Sequence, residues 1–348
     1  MTPEERVAGH FRWQADGCRA LGSLLYARLL EEAAHDLLAA GPTAVVLAGH
    51  LENRRRDAVP LRLLAGVHAL VLAGSAPALG RYYPSVGGSS PPDDGLWAAF
   101  RDVLVEHGPA VRAWLGHAPQ TNEVGRAAAL AGGLCHVAAE AALPMRLLEI
   151  GASAGLNLRA DQFRIEGRVA TAGPAMSALV LHDAWLGAAP PAVEVEVVER
   201  LGVDLAPIDP LTDDGRLRLQ AFVWPDQVER LARLRGVLDV ALAVPADLRR
   251  DDAVRAVRDL HLVDGHWTVL WHSVFRQYLD DASYAQLVEA IAAVAETATP
   301  TARFAHVMLE PEPSSTADAF PVVLTTWPGG QRRTLGTAPA HGLPVTWR

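Results

Sequence analysis

The sequence predicts an α/β chain, with an all-helical domain over 1–143 followed by a Rossmann-like sheet domain over 144–348. Three observations lead there. Apolar residues recur at helical spacing up to the boundary. From Pro144 onward, short apolar runs alternate with helical patterns, as in a parallel sheet built from crossover units. The first of those runs, Leu147-Leu148-Glu149-Ile150, leads into Gly151-Ala152-Ser153-Ala154-Gly155, a turn made only of small residues.

The elements follow in order. Thr2-Pro3-Glu4-Glu5 reads as a capping box with proline in the first turn, a helix start rather than a secretory leader. Helical spacing covers 23–40, 61–72, 96–115 and 124–142. The stretch from Tyr82 to Pro92 is dense in turn residues and reads as a disordered loop or a lid. In Gln120-Thr121-Asn122-Glu123, Thr121 or Asn122 is expected to cap a helix, leaving Glu123 and Arg126 to face a cleft. Strands are expected at 146–150, 194–200, 241–244, 267–271, 303–309, 322–327 and 333–337, with helices at 226–238 and 282–296. A pair of final strands around Trp327-Pro328-Gly329-Gly330 reads as a hairpin, and no internal repeat is visible.

Composition narrows the function. The chain has 348 residues, half of them hydrophobic, enough for a sizeable core. No apolar run reaches membrane-spanning length, and no membrane partner is expected. A net charge of −9 disfavours a nucleic-acid partner. Cys18 and Cys135 sit far apart in apolar helical patterns, as buried thiols of a reducing cytoplasm do. All 31 basic residues are arginine, which excludes a Schiff-base lysine, a pyridoxal-phosphate anchor and a Walker-type phosphate lysine.

Within this frame the small-residue turn admits three readings. Glu149-x-Gly151-x-Ser153-x-Gly155 resembles the first motif of class I methyltransferases that use S-adenosylmethionine, with serine in place of the middle glycine. Gly151-x-Ser153-x-Gly155 also matches a hydrolase nucleophile elbow. The third reading is a βα turn without a ligand.

Later residues weigh toward the first. Gly202-Val203-Asp204-Leu205-Ala206-Pro207 resembles the run that closes the second methyltransferase strand, where the aspartate accepts from both ribose hydroxyls. Asp204 follows Gly155 by 49 positions, where a compact dinucleotide fold needs about 20, so roughly 160–191 must be an insertion. Asp247, placed after the expected third strand, is the candidate for the adenine edge. His272 and Tyr278 follow the fourth strand at the edge where open α/β sheets build their sites.

Nearly the whole chain is similar to a bacterial family of unassigned function, found largely in high-GC organisms. The resemblance is carried by Phe11-Arg12-Trp13-Gln14, Tyr82-Tyr83-Pro84-Ser85, Gln120 to Arg126, Leu148 to Leu158, Phe222 to Gln227 and the pair His272-Ser273 with Gln277-Tyr278-Leu279. It implies a seven-stranded methyltransferase-type sheet behind a helical extension, and no substrate. In that frame Glu149, Gly151, Ala152, Ser153, Gly155 and Asn157 would hold S-adenosylmethionine, with Asp204 on the ribose and Asp247 on the adenine. His272, Tyr278 and Glu123 would serve a small-molecule acceptor, and no metal is expected. The hydrolase alternative would use Ser153 with Asp239 and either His306 or His341, and a non-catalytic nucleotide-binding protein is the third possibility.

Overall fold

The computed structural model describes residues 1–120, 122–312 and 319–348. The chain divides into two compact units, one of Met1–Thr121 with Asp213–Ala232 and one of Asn122–Thr212 with Arg233–Arg348.

The first unit is helical, with α1 (Pro3–Ala20), α2 (Leu24–Leu38), α3 (Pro42–Val46), α4 (Val59–Leu72), α5 (Pro77–Gly80), α6 (Asp94–Glu106), α7 (Gly108–Trp114) and the later α9 (Asp213–Ala221). Thr2 forms the expected capping box with Glu5, and Ser23 and Asp93 cap α2 and α6. Phe11, Leu29, Leu30, Leu63 and Phe100 lie in its core, with Trp224 packed against them. Ala221 packs on Ala65 and Ala69 of α4, and its carbonyl meets Nδ1 of the buried His68 at 3.1 Å. These contacts tie the 213–232 segment to the helical unit.

The segment that opens at Tyr82 is anchored in its first half. Tyr82 and Tyr83 are core residues of the helical unit, and the Tyr82 hydroxyl donates to Asp93 Oδ1 at 2.7 Å.

The second unit opens at Asn122, ahead of α8 (Ala127–Glu140), rather than at Pro144. The reason is a pair of glycines. A Cβ on Gly133 would lie 2.8 Å from Val307, and one on Gly132 only 2.1 Å from the Trp347 ring. That close approach belongs to a helix packed on the sheet.

The strands are β1 (Met145–Ile150), β2 (Arg164–Glu166), β3 (Thr171–Ala172), β4 (Val180–Leu181), β5 (Trp185–Gly187), β6 (Val197–Asp204), β7 (Asp247–Arg250), β8 (His266–Ser273), β9 (Ala302–Leu309), β10 (Phe320–Trp327), β11 (Gln331–Ala338) and β12 (Val345–Trp347). The main sheet has nine strands in the order β5-β12-β11-β10-β9-β8-β1-β6-β7, so the expected seven-stranded sheet is replaced by a larger mixed one. Five strands, β7-β6-β1-β8-β9, run parallel; β10, β11 and β12 continue antiparallel, and β5 adds a parallel edge to β12. The expected insertion is present: β2, β3 and β4 form a separate small sheet, and β5 closes the far edge of the main one.

Three further helices complete the unit: α10 (Val228–Ala243), whose first turn falls in the helical unit, α11 (Ala253–Arg258) and α12 (Asp281–Glu296). Leu148, Ile150, Val203, Leu270 and Phe304 of the sheet pack with Val254 and Val257 of α11 and Leu287 and Ile291 of α12. The apolar run at 241–244, expected as a strand, is instead the end of α10; the strand forms at Asp247–Arg250. A short apolar run fits either period, and here it completes a helix. Among the described residues, no helix is long and apolar enough to cross a membrane. Both cysteines are buried and free.

Candidate active site at the switch point of the sheet

The chain enters the parallel array in its middle, at β1, fills one side through β6 and β7, then crosses to β8 and β9. The winding therefore reverses between β1 and β8, the point at whose carboxyl edge open α/β sheets place their ligands. The small-residue turn leaves β1 at that point. Gly151, Ser153 and Gly155 all have positive φ, at 66°, 53° and 60°. For serine this is a costly backbone state, stabilised here from β6: Asp204 Oδ2 accepts the Ser153 N–H at 2.9 Å while Oδ1 accepts that of Ala206 at 2.8 Å. Ala152 N–H donates to the Val203 carbonyl at 3.1 Å.

An α-helix does not follow the turn. Leu156–Gln162 is a kinked 3-10 segment. Its first N–H, on Leu156, goes to Asn122 Oδ1 at 2.9 Å, so Asn122 serves this segment rather than its own helix start. Thr121, the alternative cap, lies outside the described residues. The buried Arg159 guanidinium donates to the Gly155 carbonyl at 2.7 Å and to that of Val244 at 2.8 Å, which places a positive charge behind the turn. Burial and the nearby Arg200 charge push Arg159 down to about 10.

Glu149 is 3% exposed. Burial pushes its carboxyl up to about 8, opposed by the Trp271 indole, the Asn157 amide and the charges of Arg159 and Arg126. Three buried acceptor atoms around the turn, Glu149 Oε2, Ser153 Oγ and Asn157 Oδ1, have no hydrogen-bond partner among the described residues. Trp271 Nε1 has none either; it lies near enough to Glu149 to favour the charged form, but not at bonding geometry.

Glu123 belongs to this sheet unit and is buried. Its carbonyl accepts from Asn157 Nδ2 at 3.4 Å, and its carboxylate lies 3.6 Å from His341 Nδ1. Arg126, half-buried and with its pKa lowered by desolvation, feels the charges of Glu123, Tyr278, Glu310 and Glu149. It donates to the Ser273 carbonyl at 3.4 Å and to that of Ala340 at 2.9 Å. The buried His272, next to last in β8, bonds Glu310. Tyr278 lies in a 3-10 turn after β8 and is largely exposed. Phe275 leans over the turn, with its ring 2.3 Å from where a Gly151 Cβ would stand.

The structure thus brings Glu123, Glu149, Gly151, Ala152, Ser153, Gly155, Asn157 and Asp204 to one edge, with His272 at the end of the adjacent strand. Asp247 does not join them. It pairs with Leu201 at the amino end of β7, is exposed, and binds Arg249. Its expected place rested on the displaced third strand; at the carboxyl end of β7 stand Asp251, paired with Arg255, and Asp252, which caps α11. Sequence reasoning passed over Glu310, Arg159 and Trp271; the signal for Glu310 was its position directly after the fifth parallel strand. Among the described residues no group of three or more His, Cys, Asp or Glu side chains is arranged to hold a metal ion.

Residues 8–347 match the model of a family described as an uncharacterised protein conserved in bacteria, DUF2332, and the chain belongs to that family. No curated protein matches the chain. No solved structure matches it either.

Proposed function

We propose that the chain binds S-adenosylmethionine at the β1 switch point and serves methyl transfer to a small-molecule acceptor. The observation that carries this reading is the set of three buried, unpartnered acceptor atoms around the glycine turn, Glu149 Oε2, Ser153 Oγ and Asn157 Oδ1. Buried polar atoms are costly unless a partner satisfies them. An amino-acid end carrying an ammonium group fits these acceptors, with Glu149 as the charged one. Each Asp204 oxygen spends one lone pair on a backbone N–H and keeps another, enough for two ribose hydroxyls. Asp247 does not fit an adenine contact. Asp251, whose N–H donates to the Asp204 carbonyl at 3.1 Å, is the acid on that side.

When bound, the cofactor supplies an electrophilic methyl group. The protein's own work is then positioning and exclusion of water. The strained turn fixes the cradle, Phe275 shields it, and Arg126 balances Glu123, Glu149 and Glu310. In the hydrolase alternative no base engages the serine: among the described residues Ser153 Oγ has no hydrogen-bond partner, and neither His306, bonded to His272, nor His341, against Glu123, is bonded to it.

The test is calorimetry with S-adenosylhomocysteine, with NAD and ATP as controls. Selective binding of S-adenosylhomocysteine supports the reading; no binding of it, or equal binding of NAD, overturns it.

A further inference from the structure

A chain of hydrogen bonds leads from the carboxyl end of β9 into the sheet. Glu310, buried just past β9, accepts three donors: His272 Nδ1 at 2.8 Å and the backbone N–H groups of Phe275 at 2.8 Å and Arg276 at 3.3 Å. All three contacts are N–H donations to the carboxyl group, and Arg126 stands nearby as a positive charge. A carboxylate only accepts, so His272 carries its proton on Nδ1 and a lone pair on Nε2. Nε2 of His306 lies 3.0 Å from that lone pair. The proton between the rings therefore belongs to His306, which leaves a second lone pair on His306 Nδ1. Burial and the neighbouring His272, with Arg332, hold His306 well below its ordinary range and therefore neutral.

Val274 supports this arrangement at a backbone cost. It adopts φ 51°, a left-handed state that a β-branched residue avoids, while its N–H bonds the Leu309 carbonyl at 3.0 Å. The strained residue turns the next two N–H groups onto Glu310. A Phe275 ring set edge-on to His272, with centroids 6.0 Å apart, covers the dyad on one side.

We infer that Glu310, His272 and His306 form a proton relay whose receiving atom is His306 Nδ1, and that the acceptor is a protic molecule: an alcohol, a phenol or an amine. The methyl donor in this inference rests on the function proposed above; the relay itself does not. The acceptor's X–H bond breaks as the proton bonds His306 Nδ1. The proton on His306 Nε2 moves to His272 Nε2. The positive charge comes to rest on His272, beside the Glu310 carboxylate. The electron pair left on X forms the bond to the transferred carbon as the carbon–sulfur bond breaks. His306 would touch the acceptor, while His272 and Glu310 act through it as positioning residues.

Two measurements on the full chain test the relay without any donor. Nitrogen NMR on histidine-labelled protein at neutral pH should show His272 protonated at Nδ1 and His306 at Nε2. Diethylpyrocarbonate should acylate His306, as located by peptide mass spectrometry. Glu310→Gln, checked for folding by circular dichroism, should slow that acylation at least tenfold; a network that merely ties strands together leaves the rate unchanged. The opposite tautomer on His272, an unreactive His306 in the wild type, or a folded Glu310→Gln reacting at the wild-type rate would each overturn the relay. The tautomers and wild-type reactivity need no variant, so a misfolded Glu310→Gln leaves the inference testable. Failure to bind S-adenosylhomocysteine refutes the proposed cofactor without touching these results.

Discussion

Replacing Glu149 by glutamine tests the electrostatics at the centre of the site. Burial raises this carboxyl from the ordinary 4.5 to about 8. Between those values the folded chain keeps a proton that the unfolded chain has released, so stability falls as pH rises across that window. At 1.36 kcal/mol per pKa unit, the full displacement corresponds to about 5 kcal/mol. Glutamine has nearly the same shape and cannot ionise. The two proteins should therefore have similar unfolding free energies at pH 5, and the variant should gain on the wild type through pH 7, reaching a lead of up to about 5 kcal/mol by pH 9. Urea unfolding of both chains at the three pH values measures the difference directly, since groups that titrate alike in both cancel. A difference that stays constant with pH would falsify the placement of Glu149 as a buried, mostly protonated acid at neutral pH. The same group links binding to protons: an ammonium at Oε2 should drive the carboxyl to ionise. Calorimetric enthalpies of S-adenosylhomocysteine binding at pH 7 should then differ between phosphate and Tris, whereas equal enthalpies would mean that no proton leaves.

Three other perturbations have expected outcomes. Asp204→Ala leaves the N–H groups of Ser153 and Ala206 without their acceptor, and should lower unfolding free energy by about 1–3 kcal/mol and S-adenosylhomocysteine affinity by about tenfold; wild-type values on both axes would remove Asp204 from the turn and from the ligand. Ser153 should form no adduct with a fluorophosphonate probe, because no base among the described residues is bonded to its hydroxyl; stoichiometric labelling seen by intact-mass spectrometry would revive the hydrolase reading. Gly132→Ala ought to lose about 1–3 kcal/mol by thermal unfolding, despite the better helix propensity of alanine, because its Cβ would meet the buried Trp347 ring at 2.1 Å. A stabilised Gly132→Ala would mean that α8 does not press on the sheet.

The parts of the fold that were legible in the sequence are those whose signal is local. The capping box at Thr2, the strand and turn from Leu147 to Gly155, and the helix ending at Glu296 are each set by neighbours within a few positions. The placement of α8 and α9 is not. Helical periodicity shows that 127–140 is a helix but does not single out 213–221, and which core each one covers is decided by contacts far along the chain: Gly132 against Trp347, and Ala221 against Ala65. The nine-stranded sheet was hidden for the same reason. Trp185-Leu186-Gly187 is too short to read as a strand until Val345-Thr346-Trp347 provides its partner. Asp247 moved to the wrong end of β7 because a single displaced strand boundary carries an acid from the carboxyl edge to the amino edge.

The site was legible where topology alone places a residue, and obscure where burial gives it its chemistry. Any acid ending β1 or β6 in this winding faces the switch point, so Glu149 and Asp204 follow from strand order. Their characters then diverge for reasons no spacing reveals. Asp204 is half-buried and satisfied by two backbone N–H groups, which makes it a fixed brace for a turn that serine would otherwise resist. Glu149 lies under Trp271 and Asn157 with one oxygen unpartnered, so its charge depends on what else enters the site. Glu310 and His272 show the third case, two unremarkable strand-end residues that become a paired acid and base only because β8 and β9 run parallel and the strained Val274 turns its neighbours onto the carboxylate. Packing sets which groups each of these acids meets, and so decides which of them can brace a turn, meet a cation or pass a proton.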